Sequence, residues 1–267
     1  MKNNFINFNN YIKLNNYMKG NKHSLIYSAY SMHHKKKVIL KNIKNVNFNT
    51  NELAILNRLN NYSSIVNLLD NYKDDTSTTL VFENYKNGDL YDCLYEERNP
   101  LYHQDEILNL FYKILQPVQL LHNNNIVHLD LKLENYFVDD NSIVLGDFGT
   151  SRIHDTYYYD EYDTQVIGTR SYTAPEILVN KFSKASDIWS CGVMLYYILK
   201  DDSPIVDNIN TLYNRNEEIV IHKNVSNDLK YLLDKLLSID HLDRPTINEI
   251  LNYPIIKQYK DYKVNSI

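Results

Sequence analysis

The chain has 267 residues, of which 43% are hydrophobic and 23% charged, with a formal net charge of −5. That apolar share suffices for the core of one large domain or two modest ones and excludes a disordered chain. The negative balance argues against nucleic-acid binding through a general phosphate-neutralising surface.

In chain order, Met1 to Asn16 alternates asparagine with isolated apolar residues and lacks the continuous apolar run of a signal peptide. The longest apolar run, Val193 to Leu199, is too short to span a bilayer. Cys93 and Cys191 lie far apart, each inside an apolar helical pattern, and suggest neither a disulfide framework nor a zinc site. A cytosolic or nuclear protein without membrane contact is expected. Tyr11–Tyr17, Leu25–Ser31, Lys37–Ile43 and Thr79–Glu83 alternate or are β-rich and read as strands, with one helix at Thr50–Leu59. The charge run His33 to Lys37 reads as a solvated hairpin turn. After Gly88 the periodicity becomes helical, at Asp89–Glu97, Gln104–Asn123, Ala185–Lys200, Ser226–Ser238 and Thr246–Leu251. The expected class is therefore α+β in two lobes, a β-rich lobe at about 8–83 and a helical one at 89–260, joined at 84–88.

Between the second and third of those helices lies a long stretch, Asn125 to Glu176, with strand-like runs only at Tyr136–Val138 and Ile143–Leu145. A long irregular segment inside a compact domain is usually functional or disordered. Here it holds His128-Leu129-Asp130-Leu131-Lys132-Leu133-Glu134-Asn135 and, beyond a strand, Gly146-Asp147-Phe148-Gly149. Phosphoryl transfer needs such a set: a carboxylate to receive the proton of the attacking hydroxyl, a cation beside the phosphate, and oxygen ligands for Mg2+.

These runs resemble the catalytic loop H-R-D-L-K-x-x-N and the D-F-G triplet of protein kinases, and the other kinase elements follow in order over about residues 11 to 255. The resemblance implies the bilobal kinase fold, ATP with Mg2+ or Mn2+, and a protein substrate. It makes Asp130, Lys132 and Asn135 catalytic, and Asn135 and Asp147 the metal ligands. Val38-Ile39-Leu40-Lys41 is similar to the strand whose lysine holds the α/β-phosphates, with Glu52 as its partner. Leu80-Val81-Phe82-Glu83 is similar to the strand entering the hinge, which puts the backbones of Glu83 and Tyr85 at adenine and Asp89 at ribose. Gly168 to Glu176 is similar to the end of the activation segment, Ser186 to Val193 to the central helix, and Arg244 to the partner of the glutamate at 176. Lys132 and Thr169 are similar to serine/threonine rather than tyrosine kinases. Five of the six glycines, at 88, 146, 149, 168 and 192, fall where the family also has glycine.

Several residues have blander readings. His128 is expected in an apolar column with Leu56, Leu68 and Phe148 rather than as a base, and Glu134 as an exposed acid. Tyr157, Tyr158, Tyr159 and Tyr162 are weak phosphosite candidates among 24 tyrosines. Two positions depart from the family. Aligning Ile26 with the last residue of the glycine-rich loop puts Lys19, Asn21 and Ser24 where glycines are usual, with only Gly20 nearby, so a looser grip on nucleotide is expected. Leu129 replaces the arginine that contacts activation-loop phosphate in many kinases. An active kinase is the first reading; a pseudokinase acting as a nucleotide-binding or scaffold module is the alternative. A small-molecule phosphotransferase fits less well, given Ala174-Pro175-Glu176 and Arg244.

Overall fold

The computed structural model describes residues 10–14, 19–20, 24–96, 103–139, 142–153, 158–159, 168–200, 213 and 224–261. The chain divides into two compact units, meeting at Lys86 and Asn87. In the first, strands β1 (Tyr11–Lys13), β2 (Lys19–Gly20), β3 (Ser24–Ser31) and β4 (Lys36–Lys44) precede helix α1 (Thr50–Leu59), and β5 (Leu68–Lys73) and β6 (Ser77–Glu83) follow it. The sheet is antiparallel in the order β1-β3-β4-β6-β5, with β2 also pairing β3. Tyr11, Ala29, Val38, Leu40 and Val81 form a buried cluster on it. The hairpin between β3 and β4 turns through Lys35 at φ 52°.

β5 has no counterpart among the expected strands. It is an edge strand whose register against β6 shifts between Leu68 and Asp70, and that irregularity breaks the alternation by which a strand is recognised. α1 matches its expected bounds. Asn49 accepts from the Asn51 amide, and Glu52 stands in the first turn, where negative charge suits the helix dipole.

The second unit is mainly helical, an α+β chain overall. After a short π-helical turn (Asp92–Glu96) come α2 (Gln104–Asn123), the two-residue strand β7 (Ile126–Val127), the ribbon of β8 (Tyr136–Asp139) and β9 (Ser142–Leu145), and β10 (Arg152–Ile153), which pairs with β7. β11 (Tyr158–Tyr159) pairs with β12 (Lys181–Phe182) ahead of α3 (Lys184–Lys200). α4 (Asn227–Leu236), α5 (Ile247–Asn252) and α6 (Pro254–Lys257) follow, and a 3-10 turn (Gln258–Asp261) is the last described element. α3 is buried from Ser186 to Leu199 and packs against α2 and α4. It is apolar around its circumference, as a helix at the centre of a core must be. Each large apolar side chain so buried contributes about 1.5–3 kcal/mol. The buried Tyr136 hydroxyl donates to the Ile114 carbonyl (3.2 Å), tying β8 to α2. Among the described residues no helix is long and apolar enough to cross a membrane.

Five described non-glycine residues have left-handed backbones: Lys35, Asn125 (φ 57°), Leu129 (φ 68°), Asp147 (φ 58°) and Asn180 (φ 57°). Two of them, Leu129 and Asp147, flank the residues with the richest chemistry.

Candidate active site

In the first unit, Lys41 lies on β4, cross-strand from Ile26 on β3 and Leu80 on β6. Its Nζ is 2.6 Å from Glu52 Oε1 on α1, and the two side chains are 13% and 2% exposed. A carboxylate so enclosed needs its cation, and removing either partner of such a pair costs about 3–5 kcal/mol. The two nucleotide residues expected from the strand and the helix that follows it are thus brought together. Ile26 also pairs with Lys19 across β2, and Gly20 with Leu25. Asn21 lies outside the described residues, as do Tyr157, Tyr162 and the middle of the activation segment. At the end of β6, the Glu83 carboxylate takes Lys36 Nζ (2.5 Å) and Asn67 Nδ2 (3.2 Å). The Lys36 bond is the main reason that carboxyl sits below the ordinary range. The Tyr85 hydroxyl accepts from the Asn67 amide (3.0 Å), so one residue, Asn67, holds both expected adenine-side positions.

In the second unit, Asp89 is buried, and its Oδ1 accepts from the Asp92 amide (3.0 Å), the local bond of a helix cap. The loop bearing Asp130 leaves β7, and the pairing of β7 with β10 brings the segment after Asp147 alongside it. There Thr150 Oγ1 (3.0 Å) and Ser151 Oγ (3.2 Å) donate to the His128 carbonyl. His128 is fully buried, bonded through Nε2 to the Gly146 carbonyl (3.1 Å), with its ring 5.2 Å from Phe148. It is a structural residue packed on Phe148; Leu56 and Leu68 are buried within the first unit.

The loop is held from beneath by a residue that motif reading did not single out. Asp187, buried in the first turn of α3, accepts from the amides of His128 (Oδ2, 2.9 Å) and Leu129 (Oδ1, 2.9 Å), and its Oδ2 is 3.0 Å from His122 Nε2. Two consecutive amides can converge on one carboxylate because Leu129 is left-handed, a conformation that costs a non-glycine residue about 1–2 kcal/mol. A sequence signal for Asp187 exists: a lone acid in a helix with no polar face must have a buried partner.

Asp130 is surrounded on its upper side. Oδ1 accepts from both the amide and the hydroxyl of Thr169 (2.7 Å each), and Oδ2 accepts from Lys132 Nζ (2.8 Å). Lys132 Nζ also donates to Thr169 Oγ1 (2.6 Å). Asn135 Nδ2 donates to the Asp130 carbonyl (2.8 Å). Gly168 must be glycine here: φ is 87°, and a Cβ would collide with the Leu129 carbonyl.

Asn135 closes a 3-10 turn immediately before β8, and Asp147 follows Gly146 just after β9. Tyr136 pairs with Leu145, and the Gly146 amide donates to the Asn135 carbonyl (2.9 Å), so the ribbon sets both expected metal ligands at one end. Two protein oxygens, Asn135 Oδ1 and the Asp147 carboxylate, fit Mg2+, which typically takes one or two carboxylates and keeps water and phosphate as its other ligands. Among the described residues no cluster of three His, Cys, Asp or Glu could hold a metal by itself.

Glu134 is half-buried, not exposed as expected, because the Leu133–Asn135 turn lays it against the protein. Desolvation lifts its carboxyl above the ordinary range, against the opposing pull of Lys132. Glu176 shows the opposite balance. Burial pushes it up, but Arg244, bonded to both oxygens (2.7 and 2.8 Å), and Ser186 Oγ (2.7 Å) outweigh that and hold it low.

The Protein kinase domain family matches residues 19–256 of the chain. A cell cycle serine/threonine-protein kinase of Saccharomyces cerevisiae is 32% identical over 72% of this chain and 28% of its own length. The liver/testis gamma catalytic chain of phosphorylase b kinase from Bos taurus is 30% identical over 78% of this chain and 53% of its own. A calcium and calcium/calmodulin-dependent serine/threonine-protein kinase of Pisum sativum is 28% identical over 79% and 42%. The chain therefore spans between about a quarter and a half of these relatives. With the family match covering nearly all of the described elements, the chain belongs to the eukaryotic protein kinase superfamily.

Proposed function

We propose that this chain transfers the γ-phosphoryl group of ATP to serine or threonine hydroxyls of protein substrates. The observation that carries the reading is the Asp130 carboxylate, fixed by Thr169 and Lys132 yet still 11% exposed. In this mechanism the acceptor hydroxyl reaches Asp130, which orients it and takes its proton as the oxygen bonds to the γ-phosphorus. The bond from that phosphorus to the bridging oxygen breaks, and ADP leaves with the electron pair. Lys132 neutralises charge on the transferred group, while Lys41, aimed by Glu52, holds the α/β-phosphates. Mg2+, or Mn2+ with the same preference for oxygen, supplies charge neutralisation at the β- and γ-phosphates when held by Asn135 and Asp147. Cytosol or nucleus remains the compartment that the sequence suggests.

The test is transfer of labelled γ-phosphate to protein acceptors or to the chain itself. Wild type should transfer label, and Asp147→Asn should not. A wild-type chain that binds ATP but labels nothing would make the pseudokinase reading the correct one.

A further inference from the structure

The segment that touches Asp130 is pinned again at its far end, by a residue remote in sequence. Thr169 bonds Asp130, and the chain then closes a 3-10 turn, Arg170–Tyr172, in which the Tyr172 amide returns to the Thr169 carbonyl (2.9 Å). Thr173 Oγ1 donates to the same Thr169 carbonyl (3.0 Å). The Thr173 carbonyl, in a residue 3% exposed, accepts from the Tyr213 hydroxyl at 2.6 Å. The Tyr213 ring lies 5.6 Å from Trp189 of α3 at a tilt of 34°. That indole also carries the Arg244 guanidinium, 5.1 Å from its centroid. An unbroken series of contacts thus runs from the catalytic carboxylate through Thr169 and Thr173 to Tyr213 and the helix core.

We infer that Tyr213 is a positioning residue for the protein substrate: its hydroxyl fixes Thr173, and through it the turn beside Asp130 along which the acceptor peptide must lie. This rests on the kinase reading of the same site. Burial foremost, and Glu176 after it, push the Tyr213 phenol up to about 12, so it remains a donor throughout the neutral range. Without that donor the buried Thr173 carbonyl has no partner from Tyr213, and an unsatisfied buried group is expensive enough to let the backbone shift. The Lys41–Glu52 pair takes no part in these bonds, so the effect should fall on peptide and not on nucleotide.

The test is Tyr213→Phe, which keeps the ring on Trp189 and removes only the hydroxyl. A synthetic peptide acceptor selected from a mixed serine/threonine library should show KM raised about three- to tenfold, with KM for ATP unchanged. Deuterium exchange should rise across residues 168–176 and not across 126–139. Thr173→Val, which cuts the next link, should raise peptide KM similarly, and the double variant should fall short of the product of the two effects. Multiplying effects, an unchanged peptide KM, or equal loss of peptide and ATP affinity together with a lower Tm would each overturn the inference. Deuterium exchange needs no turnover, so an inactive wild type would refute the kinase reading while exchange still decided the role of Tyr213.

Discussion

The two units hold the residues proposed to handle phosphate in different ways. In the first, the ion pair of Lys41 with Glu52 joins a strand to a helix, and burial secures it. In the second, Asp130 is gripped by Thr169 and Lys132, its loop is anchored on Asp187, and the supporting segment is anchored again at Glu176 and Arg244. On the proposed function, a cation that follows a flexible polyphosphate needs only to be aimed at it. A carboxylate proposed to meet one hydroxyl at one angle must be fixed in place, because small misplacements of a reacting group are costly in rate.

The difference can be broken at several points. The largest effect is expected at the outer anchor. Arg244→Ala leaves Glu176 buried without its cation and should lower stability by about 3–5 kcal/mol, read as the denaturant midpoint or Tm. The Glu176 carboxyl is depressed in the folded state, so its contribution is present above its unfolded pKa of about 4.3 and is lost as pH falls through the folded value. The gap between wild type and Arg244→Ala should therefore narrow below about pH 4; a gap independent of pH would mean that the guanidinium acts through Trp189 and the backbone carbonyls instead. Next comes Asp130→Asn, expected to reduce kcat about 100-fold or more with ATP binding nearly intact. Unchanged turnover would remove Asp130 from its assigned part.

The first unit should respond differently. Lys41→Met should reduce kcat/KM for ATP at least about tenfold, roughly 1.4 kcal/mol, and also destabilise the chain by stranding Glu52. Adding Glu52→Gln should recover the stability and none of the activity, because the strain lies in the stranded charge and the function in the lysine. Recovery of activity would show that another cation serves the phosphates. The smallest effect is expected from phosphatase treatment. Leu129 is 4% exposed and cannot pair with phosphate, and Arg152 is already bonded to the carbonyls of Thr150 (2.7 Å) and Ser151 (3.2 Å). Activity should change less than about tenfold on dephosphorylation, with mass spectrometry following residues 150–170. A larger loss would point to Arg170, which is exposed, as the phosphate's partner.

What the sequence made legible follows the same division between pattern and partner. α1 and α2 are readable from apolar spacing and β3, β4 and β6 from β-rich or alternating runs, and the Asp130 and Asp147 loops from their resemblance to the kinase catalytic loop and D-F-G triplet. β5 is not, because a register shift on an edge strand erases alternation. Tyr213, and Asp187 in its hold on the catalytic loop, are less legible for another reason: they bond backbone atoms, which every residue possesses, so no side-chain motif marks those contacts. Glu134 differs from the exposed acid that the sequence suggests because exposure at a short turn depends on packing that spacing does not encode.

The left-handed residues show how the chain copes with a skewed alphabet. It has only 6 glycines, and asparagine fills roughly one position in seven, far above ordinary usage. Asn125, after α2, and Asn180, before β12, occupy the kind of helix-terminating corner that glycine most often fills. Asparagine is the substitute best suited to that backbone, since its short amide can bond locally. Mutational drift that depletes glycine can thus be absorbed at corners where only the torsion angle matters. At Gly168, where a methyl group has nowhere to go, it cannot.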